Sequence, residues 1–516
     1  MPTYLTPGVY VEEIDSGSKP LSSGATAVAA FVGFTAKAPT DPTDPDGRRP
    51  RLVTNWTQFE SLYGGFTPGA MLPHAVYGYF NNGGSIAYIV RVPHERPKGD
   101  RPTLALNAGD GKPALEVTAK VPDPDLRVTV EPAPPSSDGD GEARFTILVE
   151  SGNTPLETYH DVTLTKGDRF IETATAESTL VTIKVKNTTK GAQLAAGTFT
   201  MEPAPMAPVQ VRDSDFAGKE SERSGIGGLA IADDVTMVAV PDLITAATKA
   251  DGTVDLDMWK AVQLALINHC EGEANRMAIL DAPPGLGPQD MRDWRANVAG
   301  YDSMFAAMYY PWIKVANPVA TNGDRIISVP PSGHMAGVWA RTDETRGVWK
   351  APANETVRGA LDVETPMTKA EQGLLNPIGV NCIRGFGTRG IRIWGARTLS
   401  SNPSWNYLNV RRLFNMVETT IMDGTQWVVF EPNDLALWQK VKRTLNAYLT
   451  GLWREGALFG ATPDEAFFVK CDAENNPPDS IDLGRLIVEV GIAPVKPAEF
   501  VIFRISQWQG GSAAAE

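Results

Sequence analysis

The chain has 516 residues, of which 42% are hydrophobic and 21% charged, with a formal net charge of -14. Such a length exceeds one ordinary core and calls for about two to four domains. An acidic balance argues against a nucleic-acid backbone as partner, because that binding rests on clustered Lys and Arg; it suits a very soluble protein or one meeting a surface of local positive charge.

The first stretch runs from Tyr4 to Ile14. Pro7 and Gly8 precede an alternation with Val9 and Val11 on one side and Tyr10 and Glu12 on the other, the pattern of a short strand on an extended arm. Ser16-Gly17-Ser18-Lys19-Pro20 continues the arm in a flexible composition. A strand so placed has nothing local to pair with, so it either folds back on its own domain or adds to the sheet of a neighbouring chain. Glu12, Glu13 and Asp15 stand where a secretory signal needs basic and then apolar residues. The apolar run from Ala25 to Phe34 falls short of the ~20 residues that span a bilayer. A cytoplasmic protein without a signal peptide is expected, leaving the cell only by lysis or within a particle.

Thr26 to Phe34 reads as a buried strand, Asn55 to Gly65 as a short helix with a glycine stop, Leu72 to Phe80 as a helix and Ala87 to Val92 as a strand. Strand, helix and strand at this spacing predict an α/β core. From Pro93 to Ser224 helical periodicity disappears. Short β-like runs (Leu115 to Val121, Leu126 to Val130, Ala143 to Val149, His160 to Leu164, Thr179 to Val185) alternate with turn clusters, which predicts a β-sandwich-like insertion. The α/β pattern then resumes. Val235 to Val240 and Ala278 to Ala282 read as strands, and Leu256, Trp259, Val262, Leu266 and Cys270 mark one helix face. Pro288 opens a helix with Met291, Trp294 and Val298 on one face. The expected organisation is an arm over 1–20, a core over 21–92 and 225–375, a mainly β insertion over 93–224, and a C-terminal domain over 376–516.

Tyr309 to Asn354 reads as the packing nucleus of that core. Ile326 to Val329 is a strand ended by Pro330 and Pro331, which cannot donate to a ladder, with a sharp reversal expected at Gly333. Trp339 and Trp349 are expected as anchors between tightly turned backbone.

In the last third, Val410, Leu413, Phe414, Val417 and Ile421 fit an apolar stripe, and Gln426 to Phe430 is strand-like. A helix from Asn433 to Gly456 buries Trp438, Val441, Leu445, Tyr448, Leu449 and Leu452, and its opposite face carries Lys440, Arg443 and Arg454. Those three read either as a solvated face or as a basic stripe docking on an acidic partner. Arg485 to Ile492 and Phe500 to Ser506 are expected to pair as a terminal β-hairpin. Two extended termini beside such a hairpin are the parts needed for strand exchange between chains, through Val9, Tyr10, Val11 and Glu12 at one end. Phe500, Val501, Ile502, Phe503, Arg504 and Ile505 serve at the other.

Sites for chemistry do not assemble in this sequence. Gly385-Phe386-Gly387-Thr388-Arg389-Gly390 matches G-x-G-x-x-G, but Ile391 to Trp394 follows where a helix must begin, so a turn between strands is the better reading. Ser332 and His334 share one turn with no acid assigned to them. Asp233-Asp234 and Glu12-Glu13 are adjacent pairs that point apart. Five histidines and three cysteines (Cys270, Cys382, Cys471) stand without ligand spacing. No catalytic, cofactor-binding or metal residues are therefore assigned. An α/β enzyme with a β-sandwich accessory domain remains a distant alternative, as does a shell or adhesion protein using the same arms.

Val329-Pro330-Pro331-Ser332-Gly333-His334, then Arg341-Thr342-Asp343 and Gly347 to Asn354, resembles the core of the contractile tail sheath family: phage tail sheaths, contractile bacteriocins and phage-tail-like contractile injection systems. The similarity recurs at Tyr4 to Glu13, Trp394 to Leu399, Val410 to Leu413, Gly456 to Gly460 and Lys496 to Val501. It implies an α/β sheath core with extended arms and an outward-facing insertion. It further implies a non-enzymatic subunit that stacks as hexameric rings around an inner tube, with baseplate and tail-terminator or cap proteins as further partners, and contracts without inserting in a membrane itself. By the same resemblance the helix carrying Lys440, Arg443 and Arg454 faces the tube. A true phage tail or a bacteriocin stays open beside an injection system.

Overall fold

Val28–Gly33 (β1) is a run of small, β-branched and aromatic apolar residues, all buried, as expected of a strand covered on both faces. After β2 (Arg51–Val53), Asn55 caps α1 (Trp56–Tyr63) by accepting the Gln58 N–H at 2.8 Å. Helix α2 (Leu72–Asn81) then leads into β3 (Ile86–Arg91), which pairs parallel with β1. The computed structural model describes residues 21, 24–41, 43–44, 46–93, 103–108, 112–120, 126–133, 143–151, 154–186, 194–201, 211–249, 251–320 and 325–504.

The insertion holds β4 (Thr103–Asn107), β5 (Pro113–Ala119), β6 (Leu126–Pro132), β7 (Phe145–Ser151), β8 (Thr154–Val162), α3 (Ile171–Ala174), β9 (Val181–Val185) and β10 (Gly197–Thr200). They form two antiparallel sheets, β4-β5-β9 and β10-β6-β7-β8. Alternating side chains such as Val117, Val128, Ile147, Val149 and Ile183 meet in a core separate from the rest of the chain. Strands β4 and β10 were not among the expected runs, and β8 starts before His160.

The main sheet is completed by residues beyond the insertion. After α4 (Asp213–Ala217) come β11 (Met237–Ala239), α5 (Leu243–Ala247), α6 (Leu256–Glu273), β12 (Met277–Asp281), α7 (Pro288–Asp293), β13 (Ala306–Tyr310), β14 (Ile313–Ala316) and β15 (Ile326–Val329). Asp255 caps α6 through the N–H groups of Asp257 and Met258. Then follow α8 (Ser332–Arg346), β16 (Ala360–Val363), α9 (Lys369–Leu375), β17 (Val380–Gly385) and β18 (Ile391–Ile393). The sheet order is β18-β17-β13-β12-β11-β1-β3-β2, with Ala29 of β1 opposite Met237 of β11. It therefore continues past residue 375. The glycine-rich G-x-G-x-x-G stretch is the turn between β17 and β18.

Two expectations in this part are corrected. The reversal at Gly333 is instead the first turn of α8. Gly333 and Gly337 are needed because α8 lies directly on α2: a Cβ at Gly333 would overlap the Ala75 backbone, and one at Gly337 the Tyr79 carbonyl. Trp339 is accordingly a buried helical residue whose indole donates to the Tyr309 hydroxyl at 2.8 Å. Val298 does not share a face with Met291 and Trp294. Trp294–Ala299 is a π-helical turn, which inserts a residue into the period and leaves Val298 exposed.

The C-terminal region is helical. It comprises α10 (Leu408–Gly424), α11 (Leu435–Arg454), α12 (Pro463–Ala466), β19 (Phe467–Lys470), α13 (Pro478–Asp482) and β20 (Glu489–Ile492). Its own core gathers Leu413, Val417, Trp438, Val441, Leu445 and Leu449. Gln426–Val428 is a 3-10 turn, so the strand expected there is absent. The terminal hairpin also differs. β20 pairs antiparallel with β19, Phe468 opposite Gly491, and Phe500 to Arg504 forms no strand within its own chain. β19 stands earlier in sequence and already occupies the place the arm was expected to take.

Candidate assembly surfaces

Burial first separates the brace between core and C-terminal region. Arg412 on α10 makes a bidentate pair with Asp343 on α8, at 2.9 and 2.5 Å, and both side chains are only 3% exposed. The Arg412 guanidinium also lies 4.8 Å from the Trp339 ring centre and donates to the Thr26 carbonyl. Burial raises the Asp343 pKa, and Arg412 opposes that shift. Charge, fork geometry and aromatic face together make this contact specific for Arg.

The first and the last described segments both pack on the C-terminal region. Leu21 packs against α10, where a Cβ at Gly424 would overlap its side chain, and the Gly24 N–H donates to Thr420 Oγ1 at 3.1 Å. Val9, Tyr10, Val11 and Glu12 lie outside the described residues, as does Ile505. At the other end, backbone bonds join Phe459 to Ala493 and Ala457 to Val495, and Asn409 Nδ2 donates to the Val495 carbonyl at 3.1 Å. Glu499 follows. It accepts from Arg397 Nε at 3.0 Å and a terminal Arg397 nitrogen at 2.7 Å, from Asn376 Nδ2 at 2.6 Å, and from the Tyr407 hydroxyl at 3.1 Å. Burial pushes its pKa up, but the bonds from Arg397, Asn376 and Tyr407 outweigh it and hold the carboxyl below the usual range.

Directly beyond this anchored residue the packing stops. Phe500, Val501, Ile502 and Phe503 are 71%, 67%, 79% and 82% exposed. Soluble chains do not leave contiguous large apolar side chains in water without a partner. Separately, β19 and β20 form a sheet of only two strands, so each has an outer edge that no other described strand occupies. Phe468 lies exposed across Gly491, where a Cβ would overlap its ring. Sequence reasoning read the arm residues but missed β19. The signal was present in Phe467 to Lys470, a four-residue β-rich run after Ala466.

The basic helix is built much as expected. Asp434 caps α11 through the Leu437 N–H at 2.9 Å. Arg443 and Arg454 are exposed, whereas Lys440 is half buried with its ammonium 4.3 Å over the Trp427 ring. Beside it the turn after α10 carries Phe430 at φ 68°, wholly exposed.

Two buried carboxylates deserve the test of a catalytic site. Asp242 accepts N–H groups of Phe34 at 2.6 Å and Leu72 at 3.1 Å, and also that of Met71, while burial pushes its pKa to about 7. Asp281, raised by burial to about 7, accepts the Ser332 N–H at 2.8 Å and the Ser332 hydroxyl at 2.6 Å. Ser332 thus has an acid partner, contrary to expectation, but the enclosed space beside it measures about 10 Å³, too little for a substrate. Both carboxylates bolt helix starts to sheet ends. Among the described residues no group of three His, Cys, Asp or Glu is placed to hold a metal ion, and no helix is long and apolar enough to cross a membrane.

Comparison with known proteins gives the same outline. Residues 225–399 match the phage tail sheath protein central domain, and residues 400–507 the phage tail sheath C-terminal domain. The tail sheath protein of Burkholderia phage BcepMu is 24% identical over 513 residues, covering 95% of this chain and 94% of that protein. That of Vibrio phage KVP40 is 31% identical over 182 residues, 34% of this chain, and the match spans only 26% of the relative. Among solved structures, the anti-feeding prophage helical sheath in its contracted state is 25% identical with a TM-score of 0.58, over 98% of this chain and 100% of that one. The contracted sheath of the PVC extracellular contractile injection system is 24% identical with a TM-score of 0.59, over 99% of each chain. The two family models together run from residue 225 to residue 507, more than half the chain, and the chain belongs to the phage tail sheath family.

Proposed function

We propose that this chain is the structural subunit of a contractile sheath, which stacks as hexameric rings around an inner tube and contracts to drive the tube through a target envelope. The observation that carries the reading is the exposed run Phe500 to Phe503 on an anchored root, together with a two-stranded sheet whose outer edges no other described strand occupies. The C-terminal arm of one copy adds to the β19–β20 sheet of another, and the N-terminal strand at Val9 to Glu12 adds likewise. Backbone hydrogen bonds then hold the copies together while they rotate. Work comes from surface buried between subunits during contraction. As a scale, ~1,000 Å² of extra apolar burial releases at most roughly 25 kcal/mol per subunit before opposing costs.

Exposed Arg443 and Arg454 support α11 as the tube-facing helix, with Lys440 positioned by Trp427. Baseplate and terminator proteins close the two ends of the sheath. An injection particle and a phage tail both fit the reading, because the chain matches injection-system sheaths and the BcepMu phage sheath alike over nearly its whole length. The particle is assembled in the bacterial cytoplasm. Electron microscopy of the purified protein tests the reading: striated tubes are expected, and tubes must vanish when the chain is truncated after Glu499. Tubes formed by the truncated chain would refute arm donation.

A further inference from the structure

The three donors to Glu499 come from separate elements. Asn376 lies in the turn after α9, Arg397 after β18, and Tyr407 just before α10. They therefore straddle the boundary between the two matched sheath domains, and one carboxylate of the arm ties them together. An exposed ion pair is worth little. This one is bidentate, with Arg397 and Glu499 only 14% and 19% exposed, and two neutral donors complete it. Removing Glu499 from the cluster would leave Arg397 largely desolvated and unpaired, which is the costly outcome for a charge. Beyond it, no hydrogen bond joins residues 500–504 to the other described residues.

The contrast between one tightly held residue and the loose run after it defines a pivot. We propose that the Asn376–Arg397–Tyr407 cluster acts as a fixed clasp on Glu499, so that the arm bends only beyond residue 499. The clasp aims Phe500 to Phe503 at a second copy of this chain. Glu499 and Arg397 are positioning residues for assembly. The inference rests on the arm-donation reading above and adds where the flexible part begins.

The test compares the full-length chain with Glu499→Gln, Arg397→Met and a truncation after Glu499, measuring the critical concentration for sheath formation by sedimentation and monomer melting by circular dichroism. Both point variants are expected to raise the critical concentration of the folded chain by about ten-fold, equivalent to about 1.4 kcal/mol per subunit; Glu499→Gln, which leaves Arg397 unpaired, also lowers monomer melting. If both assemble normally while the truncation does not, the clasp is overturned and arm donation stands. If the truncated chain assembles, arm donation itself falls and the clasp with it. If the variants lose monomer stability but their folded fraction assembles normally, the cluster is only a brace for the fold, and the proposal is overturned. Tyr407→Phe removes one donor without the charge and is expected to give a smaller rise in the same direction.

Discussion

The insertion and the C-terminal region solve the same problem in opposite ways. The insertion turns its apolar side chains inward between two sheets, and Leu156 is the one large apolar side chain it exposes among the described residues. The C-terminal region has a comparable core of its own, yet it leaves Met422, Val429, Phe430, Leu435, Phe459, Phe468, Leu483 and Phe500 to Phe503 in water. On the proposed reading, the module that finishes its core alone is an accessory, and the one that does not is completed by other chains.

Opposite deletions break this comparison most sharply. Replacing residues 103–201 by a short Gly/Ser loop is expected to leave tube formation intact by electron microscopy, whereas the truncation after Glu499 abolishes it. If the shortened chain no longer forms tubes, the insertion is part of the assembly and the contrast fails.

Next in size is the brace. Asp343→Ala leaves Arg412 buried and unpaired, and should cost about 3–5 kcal/mol in denaturant unfolding of the main core. The insertion, sharing none of these contacts, should unfold unchanged. Equal truncations then sharpen the contrast. Ile147→Ala in the insertion removes a fully buried side chain and should cost about 2–5 kcal/mol. Phe503→Ala should leave monomer melting unaltered while raising the critical concentration for assembly.

A further effect concerns pH. Asp242 and Asp281 hold a proton in the folded chain up to about 7, against an ordinary value of 3.8. Between those limits the folded state binds more protons than the unfolded one, so stability falls as pH rises from about 4 to about 7 and levels off above. The unfolding of the main core should follow this slope, and Asp281→Asn should flatten it. Neither carboxylate lies in the insertion, whose unfolding should lack the effect.

Much of this was legible because burial leaves a plain mark on sequence. Val28 to Gly33 and Met277 to Leu280 are unbroken apolar runs, and the α6 and α11 stripes keep a helical period. Reading failed where a residue answers to a distant neighbour. Gly333 looks like a reversal until α2 is laid against it, and only then does the Gly333/Gly337 spacing read as one helix face. Val298 was misplaced by a π turn that no local pattern announces. The arm residues Phe500 to Phe503 read as a strand because they are a continuous run of β-forming apolar residues, but a strand needs an edge, and they pair with no described strand of their own chain. Lys440 looked like its neighbours Arg443 and Arg454 until Trp427 folded under it.

The pairing of Ala29 with Met237 carries a consequence for synthesis. A ribosome releases the first strand of the main sheet long before the strand that must lie beside it. The β sandwich in between can fold on its own in that interval, while the nascent N-terminal third waits with one flank bare. Chains emerging together on one messenger are exposed to mispairing during that wait. Slower elongation through residues 211–281 should lower the yield of soluble subunit more than the same delay placed after Ile393.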